Sequence, residues 1–291
     1  MTNSRTLFIL LVTLICAAVL PERSVGYSIF LDNANNGHAS GMVAWLQSWG
    51  NSVTAVSDYK GENLSGYDIV MDFDNDSWRP LTLQERSAYT SFLRQGGGLY
   101  LQGERPTNDY ILRDQSVLAY LDTLGAGIIN VDWRDIFINI QDPYVHATLS
   151  PVTHNRSLKF RYDTSLIITN PGNGFFVATT NAINYPVPPY TGEVVHIEGV
   201  FSNVIGFEQG QLLNAPNGRV IGFFDTTYLD TGRFDENQPF FQQVVSFLGN
   251  SEPLAPVPEP SSFMLVIGGG ALLFAIVPRM KRRSLSRNRG A

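Results

Sequence analysis

The chain is almost without cysteine, with one residue, Cys16, among 291. It lies in an apolar N-terminal run, and a domain that has lost that run carries no thiol. This excludes a disulfide framework, a zinc–thiolate site and a cysteine nucleophile, and it suits a domain that folds where oxidants are present. Basic residues are scarce in the middle of the chain. Eight of the 20 Lys and Arg lie at the ends, leaving 12 against 24 Asp and Glu from Ser24 to Pro258, a charge of about −12 for the domain. Such a field repels phosphate backbones and anionic lipid, which excludes nucleic acid and favours cations or neutral sugars. Histidine is sparse too: His38, His146, His154 and His196 show no zinc-binding spacing. His196 sits two residues from Glu198 on an alternating segment, a hint of an acid–base pair that a structural histidine explains as well.

Long apolar runs are confined to the ends. Arg5 precedes Leu7 to Leu20, short for a membrane span and the right size for a signal-peptide core. Ser24-Val25-Gly26 places small residues at −3 and −1, which predicts a signal peptide over residues 1–26 and cleavage before Tyr27. Ile15 is bulky where a lipidated cysteine wants a small neighbour, which argues against Cys16 as an anchor.

At the other end, a Pro-rich linker over 251–260 closes on Pro258-Glu259-Pro260. An apolar run from Phe263 to Val277 follows, with Gly268-Gly269-Gly270 inside it, then Arg279, Lys281, Arg282 and Arg283. This tail resembles the PEP-CTERM sorting signal. The resemblance covers about 30 residues and implies recognition by an exosortase-type membrane enzyme, cleavage near the motif, and a membrane-anchored precursor with its basic stop in the cytoplasm. It also implies release or attachment at the surface of an exopolysaccharide-producing Gram-negative bacterium, which makes exopolysaccharide a candidate partner. A plain single-pass anchor over 261–291 is the simpler alternative.

Between the ends, residues 27–250 read as one domain. Tyr27 to Asp32 is a strand and His38 to Trp49 an amphipathic helix. Ser52 to Val56 and Tyr67 to Phe73 are strands, and Leu81 to Gln95 is a helix with Thr82 and Glu85 in capping-box spacing. Gly96-Gly97-Gly98 ends it before a strand from Leu99 to Glu104. After a helix over Ser116 to Leu124, residues 128–214 read as a β-rich insertion of short strands. A strand from Gly218 to Asp225 and a helix from Asn237 to Leu248 close the domain. The alternation predicts an α/β fold with a mostly parallel, doubly wound sheet.

Gly66-Tyr67-Asp68-Ile69-Val70, the helix entering Gly96-Gly97-Gly98-Leu99, and Gly218-Arg219-Val220 running to Asp225 resemble the class I glutamine amidotransferase-like group of flavodoxin-like folds. In catalytic members a cysteine sits on the sharp turn after the strand that here ends at Leu101. This chain has Gln102-Gly103-Glu104-Arg105 there, and no G-x-C-x-G or G-x-S-x-G elbow anywhere. The departure removes the nucleophile and amidotransferase chemistry with it.

In an open parallel sheet ligands bind at the carboxyl ends of the strands. Those ends carry Asp32, Asp72, Asp74, Glu104 and Asp225, with Trp78 in a neighbouring loop. One reading is a cation site, for which Ca²⁺ is the metal that carboxylate oxygens suit, or a sugar cleft with Trp78 as the stacking platform. The plainer reading is that Asp caps helices and forms turns. No other cofactor is expected. The resulting expectation is an exported surface or matrix protein with a catalytically silent binding or structural domain. The alternative is a glycan-acting hydrolase using two rim carboxylates across a cleft.

Overall fold

The computed structural model describes residues 26–32, 37–73, 79–104, 110–138, 144–148, 150–154, 158–161, 164–186, 194–225 and 234–249. The expected signal peptide with Cys16, the expected linker, Pro258-Glu259-Pro260, the C-terminal apolar run and basic tail, Asp74 and Trp78 lie outside these residues. No helix among the described residues is long and apolar enough to cross a membrane.

The first half alternates as its periodicity dictates: β1 (Ser28–Asp32), α1 (Gly37–Ser48), β2 (Ser52–Ala55), β3 (Ile69–Asp72), α2 (Leu83–Arg94), β4 (Gly98–Gly103) and α3 (Tyr110–Thr123). Six strands follow, β5 (Ile129–Ile138), β6 (Tyr144–Ala147), β7 (Lys159–Arg161), β8 (Thr164–Pro171), β9 (Phe175–Pro186) and β10 (Val194–Phe207). The chain then returns through β11 (Arg219–Phe224) to α4 (Phe234–Leu248).

Among the described residues the strands form one 11-stranded sheet in the order β2-β1-β3-β4-β11-β10-β8-β5-β9-β6-β7. Pairings are parallel from β2 to β11, in the 2-1-3-4-5 order of flavodoxin-like sheets. From β11 onward they are antiparallel. The expected mostly parallel, doubly wound sheet is therefore corrected to a mixed one. The reason is local: β11 is flanked on one side by β4 and on the other by β10, which arrives from the opposite direction. The β-rich segment falls within the expected 128–214, but its strands are not short, since β9 has 12 residues and β10 has 14. Register shifts at Glu198/Phe201 and Phe201/Val204 bend β10, and it pairs with β9 as well as with β8. With β8–β5 and β5–β9 this closes a ring of four pairings, which leaves fewer bare strand edges.

Two cores cover the two faces of the parallel half. Ile29, Leu31, Ile69, Met71, Tyr100, Ile221 and Phe223 point to α1 and α4. Their alternate neighbours Phe30, Val70, Leu99, Leu101, Val220 and Phe224 point to α2 and α3. On α4, Phe240, Phe241, Val244, Val245 and Leu248 recur at helical spacing and are buried. At about 2 kcal/mol each they contribute on the order of 10 kcal/mol before conformational entropy is charged against it. Trp45 and Trp49 stack at 5.7 Å, and Trp49 lies 6.5 Å from Phe241, so both pack on this core.

Helix ends follow their chemistry. Thr82 caps α2 by accepting from the Glu85 N–H at 3.2 Å, while the Glu85 carboxylate accepts from the Thr82 N–H at 2.6 Å. Gly96, at φ +98°, ends the same helix in a conformation that favours glycine. Helix α3 begins earlier than Ser116, and α4 begins three residues before Asn237, with Pro239 in its second turn.

Candidate functional site

The carboxyl ends of β1, β3 and β4 hold a buried polar network. Asp32 and Asp72 are register partners on adjacent parallel strands, both fully buried. By strand alternation they continue the Phe30 and Val70 face, toward α2 and α3. Two neighbouring carboxylates without water repel, and each helix supplies a group that offsets this. From α2, the Tyr89 hydroxyl donates to Asp32 Oδ2 at 2.7 Å and lies 3.3 Å from Asp72 Oδ2. From α3, Arg113 places a terminal nitrogen 2.9 Å from Asp72 Oδ1 and donates from Nε to the Gln102 carbonyl at 2.9 Å. Burial and then the fields of Asp72 and Asp32 push the Tyr89 phenol well above its usual range, so it stays a donor.

Next to this, Asp114 Oδ1 accepts from the Glu104 N–H at 2.8 Å. Gly103 makes room for it: a β-carbon there would stand 2.6 Å from Asp114 Oδ1 and 2.5 Å from Phe224. Burial pushes the Asp114 carboxyl up to about 7 against the opposing pull of the Glu104 N–H and Arg113. Its Oδ2 has no hydrogen-bond partner among the described residues. A carboxyl that keeps its proton near neutrality accounts for that atom.

On the other face, Gln102 receives the Tyr100 hydroxyl at 2.5 Å and donates to the carbonyls of Gly103 and Asp225, both at 2.7 Å. Alternation assigns Asp225 to the face of Ile221 and Phe223, opposite Asp32 and Asp72. The strand-end acids therefore divide between two faces. The Glu104 backbone carbonyl accepts from the Leu166 N–H of β8 at 3.2 Å. Beside the network, Arg79 grips Glu85 with two hydrogen bonds of 2.9 and 2.6 Å and reaches Asp58 at 3.0 Å. Burial raises the Glu85 carboxyl, but the bonds from Arg79 and Thr82 outweigh it and hold it below its usual range.

Of the residues singled out in the sequence, Asp32 and Asp72 are brought together, Glu104 gives its backbone N–H to Asp114, Asp225 lies on the opposite face, and Asp74 and Trp78 lie outside the described residues. All four described acids are at most 5% exposed. Among the described residues no group of three His, Cys, Asp or Glu is placed to hold a metal ion. His196 and Glu198 are both exposed on β10. Sequence reasoning passed over Tyr89, Arg113 and Asp114. The signal was present: Arg113 stands four residues before Val117 on the stripe continued by Tyr120, Leu121 and Leu124, and a charge on a buried stripe needs a partner.

No family model matches this chain, and no curated protein matches it in sequence. Among solved structures it is similar to the mmIFT52 N-terminal domain, at 12% identity over 77% of this chain and 98% of that one, with a TM-score of 0.55. It is also similar to thua-like proteins from Bacteroides uniformis (17% identity, 78% and 93% covered, TM-score 0.45) and Parabacteroides merdae (14%, 80% and 94%, 0.45). The mmIFT52 likeness shows a shared α/β fold.

Proposed function

We propose that this chain is an exported, exosortase-sorted surface or extracellular-matrix protein whose domain is a non-catalytic member of the amidotransferase-like flavodoxin group and acts as a binding or structural module. The observation that carries the non-catalytic part is the fate of the strand-end acids. Asp32 and Asp72 are fully buried and engaged by Tyr89 and Arg113. A glycan hydrolase needs two carboxylates facing each other across a water-filled cleft. The turn where a nucleophile would stand is Gln102-Gly103-Glu104, with the Gln102 amide given to backbone carbonyls. The ends of the chain support export and sorting through Arg5 with its apolar run, and through Pro258-Glu259-Pro260 with Arg279 to Arg283.

The test is fractionation of bacteria producing the full chain or a Pro258→Ala/Pro260→Ala variant, in a host with an exosortase. The wild type should reach the surface or medium shortened at both ends, and the variant should stay in the inner membrane with its tail. Full-mass wild type in the cytoplasm would overturn the reading.

A further inference from the structure

A cleft of about 150 Å³ opens at the other end of β11, away from the strand-end acids, where the β-rich half meets α4. Its polar wall is His154, Glu208, Arg219, Gln243 and Ser246, with Phe247 at its side. Three parts of the fold build it. Phe207 pairs with Val220, so the antiparallel register sets Glu208, just past β10, opposite Arg219, the first residue of β11. Gln243, Ser246 and Phe247 share one face of α4 by their spacing of three and four. His154 comes from the segment before β7.

The Arg219 guanidinium carbon lies over the Phe247 ring, 5.7 Å from its centroid, within cation–π range. Burial lowers the Arg219 proton affinity while Glu208 raises it, so the cation is partly desolvated and has a carboxylate in its field. A guanidinium presents a planar fork of N–H donors that suits a carboxylate. The Glu208 carboxylate beside it is unfavourable to a dianion such as phosphate and suits an ammonium group. The amide of Gln243 and the hydroxyl of Ser246 add neutral hydrogen-bonding capacity. The domain's charge of about −12 repels polyanions but exerts no net force on a neutral molecule. A cavity of about 150 Å³ takes a molecule of roughly six non-hydrogen atoms, the size of benzene or of alanine.

The geometry points to a binding site for a small zwitterion, a free α-amino acid such as alanine or serine, with its carboxylate on Arg219 and its ammonium on Glu208. The site is separate from the strand-end network and does not depend on export.

The purified full-length chain is followed by thermal unfolding and calorimetric titration with L-alanine and L-serine up to 10 mM. L-Lactate, L-alanine methyl ester and D-glucuronate serve as comparisons. Both amino acids should raise the unfolding midpoint by a few degrees, and losing either charged group should weaken binding at least tenfold. Glu208→Gln, an isosteric change at a partly exposed position, should erase the preference for alanine over L-lactate, which has the same number of non-hydrogen atoms and no ammonium. Arg219→Gln should abolish binding of both. No response to either amino acid at 10 mM by a cooperatively unfolding chain would overturn the proposal. So would D-glucuronate binding as well as alanine, or Glu208→Gln retaining the preference.

Discussion

Replacing Asp114 with Asn tests whether the strand-end network stores a proton. The folded chain holds that carboxyl up to about 7 against its ordinary value of 3.8, chiefly through burial. Between these values the native state keeps a proton that the unfolded chain releases, so unfolding becomes easier as pH rises. At 1.36 kcal/mol per pH unit, the loss of stability from about pH 4 to pH 7 is on the order of 4 kcal/mol, flat above that. Asn keeps an oxygen for the Glu104 N–H and puts a neutral amide nitrogen where Oδ2 stands. Urea denaturation of wild type and Asp114→Asn at half-unit steps from pH 4.5 to 8.5 isolates the effect, because other groups titrate in both and cancel on subtraction. The variant should gain on the wild type steadily with pH and be the more stable of the two above pH 7. A difference that stays constant with pH, within about 1 kcal/mol, would refute the assignment.

Removing Arg113 should be costly, because it leaves Asp72 buried without its cation. Arg113→Met should lower the unfolding free energy by roughly 3–5 kcal/mol at pH 7, and Arg113→Met/Asp72→Asn should recover at least half of that by denaturant titration. Thr82→Ala breaks the capping box of α2 and should cost about 1 kcal/mol, a drop of a few degrees in midpoint by circular dichroism. Millimolar Ca²⁺ should leave the unfolding midpoint within about 1 °C, since Asp32 and Asp72 are already engaged. A larger rise that Asp72→Asn abolishes would reassign these acids as cation ligands.

The parallel half was legible because each element there has one dominant period. Leu31, Met71 and Tyr100 alternate with Phe30, Val70 and Leu99, and Thr82 with Glu85 marks a helix start by spacing alone. The β-rich half was less legible for two reasons. Turns such as Pro171-Gly172-Asn173-Gly174 punctuate the chain without revealing which strands pair across them. The bulges of β10 shift its alternation midway, so a long strand reads as several short ones. The antiparallel neighbour that makes the sheet mixed is a long-range choice with no local signature. At the site, Asp32 and Asp72 could be placed at strand ends by sequence, but not their burial. That depends on α3, whose first turns carry Arg113-Asp114 and so look like solvent-facing chain.

The position of β11 bears on how the molecule assembles. The strand that joins β4 to β10 is the last of the sheet in chain order. Until residues 219–224 arrive, β4 and β10 each present an unpaired edge, and the cores behind them lack Val220, Ile221, Phe223 and Phe224. A chain made or threaded from its N-terminus thus completes this sheet only when Phe224, about three-quarters of the way along its 291 residues, has emerged. Shortening it by even one strand would leave two halves with open edges, a state prone to pair with other copies rather than with itself.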